Sequence, residues 1–137
     1  MIGILIIAHG NLGESLIECA SHVLNKRLPN TRAIGVGRED DPAAVLRAAQ
    51  QAVQELDDGS GVIVLTDIYG ATPSNIGMKL MVPGKVEAVA GVSLPMLIRS
   101  LTYQEHPLSV MVAKAVSGGH DGVVQINRDI CRAANTG

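Results

Sequence analysis

Runs of apolar residues alternate with segments of helical periodicity along this chain. Residues 2–8 form a continuous apolar run rich in isoleucine, and residues 61–66 repeat that pattern. Such a run is typical of a strand that is covered on both faces of a sheet. Residues 31–36 and 86–90 are predicted as shorter strands, and residues 122–126 as a last strand. The first and third strands are therefore predicted to lie in the interior of the sheet.

Helical segments separate these strands. Asn11, with Glu14 three residues later, resembles a capping box, while Asp41 and Thr72 each stand before a proline at a helix start. Apolar residues then recur at helical spacing in each segment. The predicted helices span about residues 12–26, 42–56, 72–82, 93–101 and 107–116.

Strands that alternate with helices predict parallel pairing through right-handed crossovers. The fold class is therefore α/β, a small open doubly wound and mostly parallel sheet in the order 2-1-3-4 with helices on both faces. With 137 residues the chain has enough material for one core, so residues 1–137 are predicted to form a single domain.

The composition excludes several classes of function. Tyr69 and Tyr103 are the only aromatic residues, too few for a base-stacking surface, and the 11 basic and 13 acidic residues form no long run. Nucleic-acid binding is therefore not predicted. Cys19 and Cys131 are too few for a disulfide framework and are predicted to be buried, which fits a reducing cytoplasm. No apolar run approaches the ~20 residues of a membrane span, so a cytoplasmic protein without direct membrane insertion is predicted.

Two polar residues stand where the two interior strands end. His9 follows the first strand and Asp67 follows the third. In the order 2-1-3-4 these strands are neighbours, and their carboxyl ends flank the crevice in which open α/β sheets bind ligands. His9 and Asp67 are therefore predicted to face each other. A carboxylate beside an imidazole fixes one ring nitrogen as a donor and leaves the other unprotonated and nucleophilic.

The segments after both residues lead into helices. The first amides of a helix have no partner within the helix, and such amides bind anions. A phosphate would fit between the two helix starts. The predicted phosphate-binding residues are Gly10, Gly70, Ala71, Thr72 and Ser74.

Other chemistries have less support in the sequence. His22 lies inside the first helix and His106 precedes a helix start, while His120 stands in a glycine-rich segment that is explained equally well as a turn. A zinc hydrolase would require His9, Asp67 and His120 to converge without a local ligand motif. The glycine-rich dinucleotide motif, the P-loop and the G-x-S-x-G elbow are all absent from the sequence.

The residues around His9 and Asp67 resemble those of the mannose-type enzyme IIA of the bacterial phosphoenolpyruvate-dependent sugar phosphotransferase system. The two segments read Ile-Ile-Ala-His9-Gly and Val-Leu-Thr-Asp67-Ile-Tyr-Gly70. The family usually continues with Gly-Gly-Ser-Pro, whereas this chain has Gly70-Ala-Thr72-Pro, which keeps a hydroxyl group at Thr72. The resemblance covers nearly the whole chain.

The resemblance implies a phosphotransferase that accepts a phosphoryl group on His9 from the phosphocarrier protein HPr, with Asp67 as the partner of the histidine. The phosphate then passes to a IIB protein, or the chain acts as a regulatory IIA. No metal or other cofactor is implied. The resemblance also implies a homodimer in which an antiparallel edge strand, residues 122–126, is exchanged between subunits. The alternative is a non-catalytic anion-binding module that regulates or binds a partner.

Overall fold

A computed structural model of the chain describes residues 1–127, in which strands and helices alternate until two helices follow each other at the end. The elements are β1 (Gly3–His9), α1 (Leu12–Leu24), β2 (Thr31–Val36), α2 (Pro42–Leu56), β3 (Val62–Thr66), α3 (Thr72–Leu80), β4 (Val86–Ala90), α4 (Leu94–Thr102) and α5 (Leu108–Asp121). Among these helices there is none that is both long enough and apolar enough to cross a membrane.

The described strands form one parallel sheet in the order β2-β1-β3-β4, as the sequence predicted. The two interior strands are β1 and β3, in which every residue except His9 is buried. In the register of the sheet Ile7 lies beside Thr66 and His9 lies beside Val36. The residues that follow β1, β2 and β3 therefore emerge at the same edge of the sheet.

Helices cover both faces of this sheet. Ile4 and Ile6 of β1 point to one face and pack in the cluster that contains residues of α1, α4 and α5. Leu5 and Ile7 point to the other face and pack against residues of α2 and α3. Full burial of such a side chain contributes about 1.5–3 kcal/mol each. Because both faces are packed, the carboxyl edge of β1 and β3 is held in place from two sides.

Helix α5 is longer than the sequence predicted. The glycines in residues 117–122 indicated a loop, but the helix continues to Asp121. A Cβ atom on Gly118 would lie 2.8 Å from the Cβ of Arg99, so the glycine allows α5 to pack closely on α4. The guanidinium of Arg99 also pairs with Asp121 at 2.7 Å. The prediction of a loop was wrong because these glycines serve helix packing.

The last predicted strand is not formed within the described chain. Residues 122–127 follow α5 without regular structure. The four strands of the sheet pair in parallel, and the antiparallel pairing seen in residues 1–127 is an isolated bridge between Val82 and Val86. Val123, Val124 and Ile126 are exposed by 86%, 59% and 85%. An antiparallel strand exchanged between subunits requires a second chain, and it stays a prediction.

Two helix starts differ from the sequence prediction. Asn11 precedes α1 but makes no side-chain capping bond, because its backbone lies outside the extended region from which a cap reaches the helix amides. The N-cap of α3 is Ala71 rather than Thr72. The Ser74 hydroxyl accepts from Gly70 N at 2.8 Å and donates to the Ala71 carbonyl at 3.0 Å, which starts the helix one residue earlier. Neither helix start is closed by a side-chain cap.

Cys19 is exposed, although the sequence predicted it to be buried. Helix α1 buries Gly13 and Ala20, and a helix turns by about 100° per residue. Cys19 therefore points away from the core even though its neighbour Ala20 points into it. Cys131 lies outside the described residues.

Candidate functional site

His9 is the last residue of β1 and the only residue of that strand that is not buried, with 55% of its side chain exposed. The chain then turns at Gly10, which has a φ of 56°, a conformation that favours glycine. The turn lies against β2, where Gly10 N donates to the Val36 carbonyl at 3.0 Å. A Cβ atom on Gly35 would lie only 2.2 Å from the Gly10 oxygen. Two glycines thus place His9 at the edge of the sheet.

Asp67 follows β3 directly and has a side chain that is 12% exposed. Its Oδ2 atom accepts from the Nδ1 of His9 at 2.7 Å and from the backbone N of His9 at 2.9 Å. Its Oδ1 atom accepts from Ile68 N at 2.8 Å. The structure therefore brings His9 and Asp67 into contact. A proton on Nδ1 is required for this bond in the neutral ring, which leaves Nε2 as the unprotonated nitrogen.

The Asp67 carboxyl group is kept ionised by its neighbours. Burial raises the pKa of Asp67, but the hydrogen bonds from the His9 backbone, the His9 ring and the Ile68 amide together outweigh burial, so that its pKa lies below the ordinary value of 3.8. A carboxylate at this position orients the ring and also stabilises positive charge on it.

The segments at which the sequence predicted phosphate binding lie at two helix starts. Gly10 leads to α1, and residues 70–74 form the start of α3. Gly70 N and the Ser74 hydroxyl are already hydrogen-bonded to each other. The Thr72 hydroxyl has no hydrogen bond to any of residues 1–127 and lies partly exposed in a cavity together with His9. The first amides of both helices are directed to the edge of the sheet at which His9 lies.

A cavity of about 530 Å³ adjoins the histidine, and we call it the His9 cavity. Its lining residues are His9, Gly10, Val36, Gly37, Arg38, Asp40, Pro42 and Thr72. Residues 37–40, which follow β2, were not predicted from the sequence to be part of this site. The signal was available, because the carboxyl end of every parallel strand reaches the same edge.

Exposed apolar side chains flank His9. Leu12 at the start of α1 is 41% exposed, and Ile68 and Tyr69 after β3 are 60% and 88% exposed. Apolar groups concentrated beside a functional side chain are typical of a surface that binds another protein.

The remaining histidines lie away from this cavity. His22 is exposed in the last turn of α1, and the His106 ring packs against Tyr103 with ring centroids 4.8 Å apart. His120 lies in the last turn of α5 and lines a different cavity, beside β4 and Val123. The structure therefore does not bring His120 to His9.

Comparison with known proteins gives a consistent result. The family described as "PTS system fructose IIA component" matches residues 3–116. The "PTS system mannose-specific EIIAB component" of Escherichia coli is 30% identical over 125 residues, which is 89% of this chain and 38% of that protein. The "PTS system fructose-specific EIIA component" of Bacillus subtilis is 26% identical over 107 residues, 77% of this chain and 73% of that one. The chain thus spans well under half the length of the mannose-specific relative.

Solved structures show the same fold. A phosphotransferase system component EIIA from Streptococcus agalactiae superposes with a TM-score of 0.81 and 25% identity, covering 91% of this chain and 97% of the other. The mannose/sorbose-specific IIA subunit from Enterococcus faecalis superposes with a TM-score of 0.83 and 21% identity, covering 93% of this chain and 96% of the other.

Proposed function

Because the chain belongs to the mannose-type IIA family of the phosphoenolpyruvate-dependent sugar phosphotransferase system, we propose that it carries a phosphoryl group on His9. The family supports a role in sugar phosphotransfer. The proposed donor is phospho-HPr, and the proposed acceptor is a IIB protein unless the chain serves as a regulatory IIA. The observation that carries this proposal is the 2.7 Å contact between the Nδ1 of His9 and Asp67, which leaves Nε2 free to react.

The proposed transfer balances without a cofactor or a net proton transfer. The lone pair of Nε2 attacks the phosphorus atom of phospho-HPr, and the bond from phosphorus to the donor imidazole breaks as the new bond forms. The donor ring leaves with the electron pair of the broken bond. The Nδ1 proton of His9 stays in its hydrogen bond to Asp67, and the carboxylate stabilises the positive charge that the phosphorylated ring acquires.

The proposed phosphate-binding residues are Gly10, Gly70, Ala71, Thr72 and Ser74. Thr72 lines the His9 cavity and would supply its hydroxyl, which has no hydrogen bond to any of residues 1–127. Ser74 would act through the loop that it closes with Gly70 and Ala71. Uncapped helix starts contribute amides and partial positive charge, which favours a bound phosphoryl group.

A protein is the better candidate for the donor than a small molecule. The exposed side chains of Leu12, Ile68 and Tyr69 around His9 offer an apolar contact surface. This surface and the open His9 cavity suit two proteins that exchange a phosphoryl group. A cytoplasmic location, in which HPr acts, is part of this proposal.

The direct test is to incubate the protein with phosphoenolpyruvate, enzyme I and HPr. The stability of any protein phosphate is then measured in acid and in base. We expect an acid-labile, base-stable phosphate on the wild type. The H22A, H106A and H120A variants should retain it, whereas His9→Ala should lose it. Phosphate incorporation into the His9→Ala variant would overturn the proposal. A folded wild type that remains unmodified by several donors would favour the alternative, a non-catalytic anion-binding module.

We further propose a homodimer in which residues 122–126 add an antiparallel strand to β4 of the partner. Two observations support it. Within residues 1–127, the outer edge of β4 pairs at Val86 with Val82 and has no partner strand beyond that bridge. Val123, Val124 and Ile126 are exposed, and Val123 lines a cavity beside β4. A cavity of about 460 Å³ between β4 and α5 offers an apolar surface for such side chains. Truncation after Asp121 keeps all of α5 and should yield monomers or aggregates. A dimer of unchanged stability in light scattering would contradict the exchange.

A further inference from the structure

We infer that Arg38 is a further phosphoryl-binding residue of this site and that its guanidinium contacts the phosphoryl oxygens while the group is held on His9. This inference rests on the proposed phosphoryl transfer. It assigns a role to the segment after β2, which the sequence interpretation did not connect to His9.

The sheet places this segment beside the histidine. Val36 ends β2 and lies directly next to His9 in the register of the parallel pair. The carbonyl of Val36 also accepts from Gly10 N at 3.0 Å. The ends of β1 and β2 are thus hydrogen-bonded to each other at the point where both segments leave the sheet. Arg38 follows Val36 by only two residues.

A closed turn holds Arg38 there. Asp40 N donates to the Gly37 carbonyl at 3.2 Å, and Gly37 N donates to the Asp40 Oδ2 at 2.6 Å. These reciprocal bonds make Arg38 and Glu39 the corner residues of a turn. The Asp40 carboxylate is therefore used by the backbone of the turn.

The guanidinium is available for a ligand. Arg38 lines the His9 cavity together with His9 and Thr72, and it is the cationic side chain among the lining residues. Within residues 1–127 it has neither an ion pair nor a hydrogen bond, whereas Arg32 pairs with Glu55 and Arg99 with Asp121. Arg38 therefore lines the cavity that contains His9 with a guanidinium that has no partner in residues 1–127.

The charge of the site gives this arginine a function. A phosphoryl group on His9 brings nearly two negative charges next to the carboxylates of Asp67 and Asp40. Helix amides offset part of this charge. A guanidinium forms bidentate, charge-assisted hydrogen bonds with phosphate oxygens, which neither a hydroxyl nor an amide can match.

The test is the equilibrium of phosphoryl exchange between HPr and this protein, measured in both directions with radiolabelled phosphate. We expect Arg38→Ala to shift the equilibrium about tenfold toward phospho-HPr, the effect of losing one charge-assisted contact at a partly exposed site. Arg38→Lys should recover part of the loss because it restores charge without the bidentate geometry. The phosphorus NMR resonance of phospho-His9 should move in the Arg38→Ala variant.

Arg47→Ala is the matched control, since Arg47 is an exposed arginine of α2 outside the lining of the His9 cavity. It should leave the equilibrium unchanged. An unchanged equilibrium in Arg38→Ala would overturn the inference while the proposed function stands. A slower rate with an unchanged equilibrium would also overturn it, because Arg38 would then bind HPr rather than the phosphoryl group. A wild type that accepts no phosphate would instead remove the proposed function.

Discussion

Replacing Asp67 by asparagine keeps the shape of the side chain but removes its charge and one of its two acceptor oxygens. The carboxylate accepts three hydrogen bonds, two at Oδ2 from His9 and one at Oδ1 from Ile68. An amide has one oxygen and one NH₂ group, so it cannot satisfy all three donors. The side chain is only 12% exposed, and water replaces the lost bonds poorly.

Each orientation of the amide has a distinct cost. With its oxygen toward His9, the NH₂ group faces Ile68 N, so two donors oppose each other and a hydrogen bond to a charged acceptor is lost, at a cost of about 1–3 kcal/mol. With its oxygen toward Ile68, the NH₂ group faces His9 and donates to Nδ1, which forces the ring proton onto Nε2. That tautomer has no lone pair at the attacking nitrogen.

The loss of charge sets the size of the kinetic effect. A carboxylate about 4 Å from the centre of a positive ring contributes roughly 4 kcal/mol at an effective dielectric constant of 20, before desolvation is subtracted. At 1.36 kcal/mol for each factor of ten, this limit corresponds to about three orders of magnitude in rate. We therefore expect Asp67→Asn to slow phosphorylation by about 100-fold to 1000-fold and to lower the free energy of unfolding by about 1–3 kcal/mol.

Single-turnover transfer from radiolabelled phospho-HPr measures the rate, and urea unfolding followed by circular dichroism measures stability. Asp57→Asn is a matched control, because a single oxygen of Asp57 accepts from both Gly59 N and Gly61 N at the opposite end of β3. An amide keeps that oxygen, so this control should transfer phosphate at the wild-type rate. An unchanged rate in folded Asp67→Asn would refute the role of Asp67 and leave His9 acting alone.

Four further outcomes are expected. Because the pKa of Asp67 is lowered, the contribution of this carboxylate to stability is complete above the unfolded pKa of 3.8 and is lost as the pH falls through the folded pKa. The difference in unfolding free energy between wild type and Asp67→Asn should therefore shrink in that acid range. A difference that does not depend on pH would argue against this origin. Gly35→Ala places a methyl group 2.2 Å from the Gly10 oxygen, so it should displace the turn after His9, lower stability by about 1–3 kcal/mol and impair phosphorylation. Gly3→Ala places a methyl group 2.7 Å from a side chain of α2 at the other end of β1, so it should lower stability without impairing phosphorylation. Gln104→Met removes two bonds from a buried amide to backbone carbonyls, at 3.1 and 3.0 Å, and should lower the urea midpoint without changing phosphotransfer.

The sequence was sufficient for the order of the four parallel strands and for the pair of residues that follows the two interior ones. Continuous apolar runs identify β1 and β3 as interior strands, because only a strand covered on both faces can bury every side chain. Once these strands are parallel neighbours, the residues after them meet at one edge. His9 and Asp67 were predicted to face each other for that reason, and their side chains lie 2.7 Å apart.

Features that depend on which neighbour packs where were decided by the tertiary structure. The glycines near residue 118 have the local signature of a loop, but contact with α4 makes them part of α5. Cys19 has apolar neighbours in the sequence but is exposed in the fold, because α1 packs on the sheet with another face. Arg38 belongs to the His9 cavity because the register of β1 and β2 sets His9 beside Val36. The local sequence pattern predicts the secondary structure of a segment. A site is assembled from segments that are distant in sequence, and only their packing determines which side chains share it.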